Sequence, residues 1–284
     1  MRLHWLSYFF LFSLLACNGK NHLLKIKGSD TEVNLSVLLA EAYHQRHDDR
    51  QLSISGGGSG LGIASLLNGL ADIANSSRPI NSYEQQLFKQ KGTEIVSFVF
   101  AQDALAIIVH EDLSIDSLSI EEVRKIFSGK KAGWQFSASD QFPISLYGRQ
   151  SNSGTHSYLK DKLGIEFSLY AKEMNGNAQI IEAVKADKGG IGYVGAGYVV
   201  KNGKQQGSGY KILKIYEKNR PACSPLDYYA VLHKRYYFQR PLYQYVLKSA
   251  YAKAKPLLEF EKSIEGQKII VANGYFPITS STRE

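Results

Sequence analysis

An α/β fold with largely parallel sheets is predicted by three features of the 284-residue chain. Strand-like and helix-like runs alternate along most of its length, the pattern of βαβ units. The run ALAIIVH (104–110) is apolar up to its closing histidine, as in a strand buried on both faces. The strand-to-helix loops GSDT (28–31), GGGSG (56–60) and NSGT (152–155) are short and built from small polar residues. A hydrophobic content of 44% is ample for a core, and 12% aromatic residues argue against disorder.

Taken in order, LLKIKG (23–28) reads as a first strand. SDTEVNLSVLLAEAYHQRH reads as a helix that Ser29, Asp30 or Thr31 can cap, with Val33, Val37, Leu38 and Tyr43 at helical spacing. LSIS is a second strand, followed by a loop and a helix from about Gly60 to Asn68. ADIANSSRPI reads as strand and then polar loop. Ser119 to Phe127 is a helix opened by a capping box, Ser119 with Glu122 three residues on. ISLYGR is a strand and HSYLKDKL its helix; AQIIEAVKAD is a helix, and GGIGYVG a turn and strand. DYYAVLHK (227–234) reads as a strand, RPLYQYVLKSAYAKAK (240–255) as one long helix, and EGQKIIVANG as the last helix. No repeat and no flexible linker divides the chain. Two lobes would therefore be joined through buried strands, with ALAIIVH and DYYAVLHK as the crossings.

The N-terminus is a separate matter. Arg2 precedes an apolar run, Leu6 to Leu15, too short for a bilayer some 30 Å thick but suited to an export signal. It ends in Leu14-Leu15-Ala16-Cys17, which resembles a bacterial lipobox and implies cleavage before Cys17 and acylation there, with residues 1–16 as signal and 17–23 as tether. An ordinary secretory signal is the alternative. The only other cysteine is Cys223, so acylation of Cys17 leaves no internal disulfide. The net charge of +8 is spread among acids, as in KDKLGIE, which points to a solvated basic surface rather than a nucleic-acid stripe.

The three small-residue loops share one chemistry. Free N–H groups at a helix start form an anion site, and short hydroxyls add donors. Two arginines stand beside such loops, Arg78 in NSSRP and Arg149 in YGRQSNSGT, each a fork that matches an oxyanion. Enzyme patterns fail on the same residues. GGGSGLG satisfies neither GxGxxG nor GxSxG, and no phosphate-loop GK[ST] follows a glycine run. Ser157 and Lys160 match SxxK without companion motifs. The seven histidines have no metal-ligand spacing. His156 reads as a helix-start histidine, and Trp134 as a packing residue. No cofactor is implied.

With GSDT, GGGSGLGIASLLNGLADIANSSRPI, LSIEEVRKIFSGKKAGW, GRQSNSGTHSYL, GGIGYVGAGYV, FQRPLYQYV and ANGYFPI in view, the chain resembles the phosphate-binding protein of bacterial phosphate ABC transporters from Ile26 to Ile278. This is a periplasmic-binding-protein type II family. The resemblance implies a two-lobed α/β fold with the ligand in the interlobe cleft. Lobe 1 would be discontinuous, residues 24–104 and 229–284, and lobe 2 residues 105–228. It implies that Ser29, Thr31, Ser59, Ser77, Arg78, Arg149, Ser153, Gly154 and Thr155 serve the phosphate site. Further implications are a monomeric, membrane-anchored binding protein outside the cytoplasm, partnered by permease subunits, with no catalytic role. One position departs from well-studied members: Ser77 stands where a loop Asp accepts the proton of phosphate, although some members carry this Ser-Arg pair. Sulfate, tungstate or molybdate are therefore alternative ligands, and Asp30 an alternative acceptor. A surface phosphate-ester hydrolase using Ser59 or Ser153, and a sensor or adhesin without a transporter, are the readings from other classes.

Overall fold

The computed structural model describes residues 23–46, 51–135 and 141–278. The signal, the tether through His22, and Cys17 lie outside the described residues.

Nine strands form the main sheet: β1 (Leu24–Gly28), β2 (Leu52–Ser55), β3 (Ile73–Ser76), β4 (Ile95–His110), β5 (Ser145–Arg149), β6 (Lys172–Met174), β7 (Gly190–Gly195), β8 (Tyr210–Ile212) and β9 (Gln239–Leu247). Their order is β2-β1-β3-β9-β4-β7-β5-β6, with β8 also on β4. β1, β2 and β3 pair in parallel, as do β7, β5 and β6. The crossover helices are α1 (Val33–His44), α2 (Ser59–Leu67), α3 (Ser82–Gln90), α4 (Ile120–Phe127), α5 (Gly154–Leu163) and α6 (Asn177–Ala186). Three more follow, α7 (Tyr228–Leu232), α8 (Tyr251–Lys262) and α9 (Ile264–Ala272).

The sixteen-residue β4 joins two halves. Its first part, Ile95 to Ala104, pairs with β9, and its last part, Leu105 to His110, pairs with β7 and β8. The apolar core divides the same way. Ile26, Leu35, Phe100 and Val246 pack on one side, and Ile107, Val123, Ile180 and Tyr193 on the other. This is the two-lobed fold, its halves meeting where β4 passes from one core to the other.

ALAIIVH is a fully buried strand, Ala104 to Val109 having no exposed surface. Ser119 closes the expected capping box on Glu122. Trp134 is buried and donates Nε1–H to the Gly189 carbonyl at 3.0 Å. Two element expectations fail. DYYAVLHK folds into helix α7, because Asp227 caps it by accepting from the Ala230 amide. RPLYQYVL is strand β9, and the helix begins only at Tyr251. Its inward positions include Arg240 and Gln244, which broke the apolar alternation that marks a strand. The stretch 95–103 is the first half of β4. The chain therefore rejoins the first half's strands at the start of β9, where Gln239 pairs with Ala104. At the start of α1, Ser29 makes no side-chain cap, and Asp30–Glu32 form a single 3-10 turn instead.

Candidate functional site

Three helix starts meet at the cleft. The turn after β1 carries Ser29 and Thr31, α2 begins at Ser59, and α5 begins at Gly154 behind its cap, Ser153. Ser59 and Gly154 are first residues of their helices, so their amides have no acceptor inside them. From β3's end, Ser77 closes the ring. Ser29 Oγ donates to Ser77 Oγ at 3.1 Å, the Ser77 amide donates to Ser59 Oγ at 3.1 Å, and Thr31 and Thr155 hydroxyls pair at 2.9 Å. All of these side chains, with Ser153, are at most 2% exposed. A Cβ at Gly154 would collide with the hydroxyls of Ser59 and Ser77, so only glycine lets α5 approach α2 this closely.

Arg149, at the end of β5, reaches the same place. Its Nη1 donates to Asp30 at 3.0 Å and its Nη2 to the Asn175 carbonyl at 2.9 Å. Burial draws its guanidinium below the ordinary value, and the Asp30 carboxylate opposes that. Asp30 also accepts from the Asn177 amide and side chain at 2.9 and 2.6 Å. It lies on the first half of the fold while Arg149 and Asn177 lie on the second, so this carboxylate ties the halves together. Gly60 adds a second tie, its amide donating to Asn152 carbonyl at 3.1 Å.

Arg78 is placed differently. Its guanidinium forks onto both oxygens of Glu84 at 2.7 Å, with Nη2 beside Gly60 in the first turn of α2. His156 packs against Phe167 with the rings tilted by 36° and their centroids 4.6 Å apart, and burial lowers its basicity. Ser157 donates to the Ser153 carbonyl, while Lys160 pairs with Glu166, so SxxK forms no dyad. The hydroxyls of Ser59 and Ser153 bond to neither histidine nor carboxylate. Among the described residues, no cluster of His, Cys, Asp or Glu could hold a metal.

Sequence reasoning missed Arg240, Asp103 and Asn177. Arg240 on β9 stands directly opposite Asp103 on β4. Its Nε and Nη2 donate to Asp103 at 3.0 and 2.8 Å, and Nη2 also reaches the Thr155 and Thr31 hydroxyls at 3.0 and 3.3 Å. This buried pair sits where the strands cross, one side facing the anion loops. An Arg followed by Pro within alternating residues was the available signal. Two buried N–H groups at the site have no acceptor, Nε of Arg149 and Nη1 of Arg240.

A scan of family models matches the PBP superfamily domain over residues 18–261. The chain belongs to that superfamily. Within it, the phosphate-binding protein PstS of Pseudomonas aeruginosa is 30% identical over 291 residues, covering 94% of this chain and 86% of that protein. A Clostridium perfringens substrate-binding structure with bound phosphate aligns with a TM-score of 0.79 at 22% identity, over 90% of this chain and all of that one. An ABC-type phosphate transport receptor from Vibrio cholerae aligns at 0.69 and 24% identity, with the same coverage. These three proteins are named as a phosphate-binding protein, a substrate-binding protein and a transport receptor, none as an enzyme. No described helix is long and apolar enough to cross a membrane.

Proposed function

We propose that the chain captures inorganic phosphate outside the cytoplasm, as a monomer, and delivers it to the permease subunits of an ABC transporter. The observation that carries this reading is the pair of buried guanidinium N–H groups, on Arg149 and Arg240, without acceptors beside three converging helix starts. A buried donor left unpaired costs about 1–3 kcal/mol. An oxyanion in the cleft would accept from both guanidiniums and from the hydroxyls of Ser29, Thr31, Ser59, Ser77 and Thr155. The amides at Ser59 and Gly154 add fixed donors, and Ser153 holds the α5 turn by accepting from the Thr155 amide at 3.2 Å. The PstS name of the Pseudomonas relative supports phosphate as the anion. Arg78 would act at the rim, steering anions rather than touching them.

The lobes are assigned as 24–104 with the C-terminal segment, and 105 onward to the return crossing. Val231, Tyr236 and Phe238 pack with the second core, which supports placing the return at β9 rather than at Tyr229. Thr31 already bonds Thr155 and Ser59 already lies against Gly154, so donors from both lobes meet while the lobes are shut, and opening them would part these groups. A lipid anchor at Cys17 would hold the receptor at the membrane.

Isothermal titration with phosphate, sulfate, molybdate and tungstate tests the reading. Binding of phosphate in preference to the others is expected. No phosphate binding at about millimolar concentration, a Kd worth only about 4 kcal/mol, would reject it, and preference for another oxyanion would replace the ligand.

A further inference from the structure

Directly behind the first anion loop lies a carboxyl that the binding reading leaves unused. Glu32 follows Thr31, is wholly buried, and neither of its carboxyl oxygens has a hydrogen-bond partner. Its amide is turned onto the Ser29 carbonyl at 3.1 Å. Around it the first lobe holds a polar cluster short of donors. Ser36, one helical turn on, accepts from Asn75 Nδ2 at 2.7 Å. Asn75 stands opposite Gln244 in the β3–β9 ladder, and Gln244 Nε2 donates to Glu261 Oε1 at 3.1 Å. This leaves Asn75 Oδ1, Gln244 Oε1 and Glu261 Oε2 as buried acceptors without donors, besides both Glu32 oxygens.

A proton on each glutamate turns two of those oxygens into donors and lets the cluster bond internally. A bare carboxylate there would lack both water and hydrogen bonds, which is costly. Burial accordingly pushes Glu261 up to about 8 and Glu32 well above the ordinary carboxyl range. The charged and titratable groups facing Glu32 come from every neighbouring element. They are Arg240 on β9, Asp103 on β4, Glu261 on α8 and Tyr275 beyond α9, with Lys262 acting on Glu261. Burial outweighs the two groups that favour the ionised form, the Ser29 hydroxyl facing the carboxyl and the charge of Arg240, which already donates twice to Asp103.

We propose that Glu32 is an affinity-determining residue of the cleft: protonated, it leaves the site's positive charge intact, and ionised, it sets a carboxylate one residue from Thr31 and loosens the anion. The proton lost on ionisation goes to solvent, and anion binding takes one back. The inference rests on the anion-binding reading above.

The test is isothermal titration of inorganic phosphate into the full chain and its Glu32→Gln variant across a pH series. The ratio of the two Kd values cancels the titration of phosphate itself. Wild-type Kd divided by variant Kd is expected to rise about tenfold between about pH 6 and pH 10. A ratio constant to within about twofold over that span overturns the inference. Failure of the wild type to bind phosphate at the acid end overturns the underlying reading, and the inference with it. If circular dichroism shows Glu32→Gln unfolded, Glu261→Gln carries the test. Removing the like-charged neighbour lets Glu32 ionise sooner, so the fall in affinity moves to lower pH by about half a unit or more. An unmoved profile overturns the inference.

Discussion

Replacing Arg149 by alanine should cripple anion capture. The side chain is 2% exposed and holds Asp30 and the Asn175 carbonyl while leaving its Nε–H unpaired beside the serine ring. Two unit charges about 4 Å apart at an effective dielectric near 20 interact by about 4 kcal/mol. Truncating one member of a buried charged contact costs about 2–5 kcal/mol in measured interfaces. The two figures agree, and at 1.36 kcal/mol per decade they correspond to a loss of about 30-fold to several thousandfold in affinity. The truncation also exposes the anion to Asp30, whose carboxylate keeps its two Asn177 donors. Isothermal titration of phosphate near neutral pH measures the effect directly. A companion variant, Asp30→Asn, removes the opposing charge and should not weaken binding by a comparable factor. A loss below about threefold in Arg149→Ala, under 1 kcal/mol, would refute the reasoning, since a guanidinium at the anion cannot contribute so little.

Other outcomes follow from the same contacts. Arg240→Ala leaves Asp103 wholly buried with only the Ala196 amide donating to it, so chemical denaturation should show a loss of about 3–5 kcal/mol. Ser77→Asp puts a carboxylate among Ser29 and Ser59, and titration should show sulfate affinity falling about tenfold more than phosphate affinity, because only phosphate brings a proton. Glu261 gives a pH signature in stability. Its folded value, about 8, lies above the ordinary 4.5, so the protonated native state is favoured below the unfolded value and loses that advantage as pH rises toward 8. Resistance to urea should therefore fall as pH rises across this window, and Glu261→Gln should make that fall shallower. Gly154→Ala should abolish high-affinity binding while leaving the helix intact, because its methyl group would strike Ser59 and Ser77.

Much of the candidate site was legible in the sequence because its chemistry is local. GSDT, GGGSG and NSGT each place hydroxyls and free amides at one helix start, and that pattern survives without knowledge of the partners. ALAIIVH was equally plain, since a strand buried on both faces needs no polar alternation. β9 was not legible. Arg240 and Gln244 occupy its inward positions because they serve the crossing and the buried cluster, and a charged inward residue breaks the period that identifies a strand. DYYAVLHK misled for the opposite reason: its aromatic and β-branched residues suit a strand, but the Asp227 cap starts a helix. Arg78 shows the limit of composition. A loop arginine fits an anion on paper, and only the fold reveals Glu84 already filling its fork. The pairing of Arg240 with Asp103, 137 residues apart, is a property of strand register that no local window contains.

The most direct measurement is a crystal of the chain grown with arsenate, located by its anomalous scattering. One peak within hydrogen-bonding reach of Ser59, Gly154, Thr155 and the Arg149 guanidinium is the predicted result. An ordered arsenate elsewhere, or a closed cleft with none, would contradict an oxyanion site at the meeting of the three helix starts.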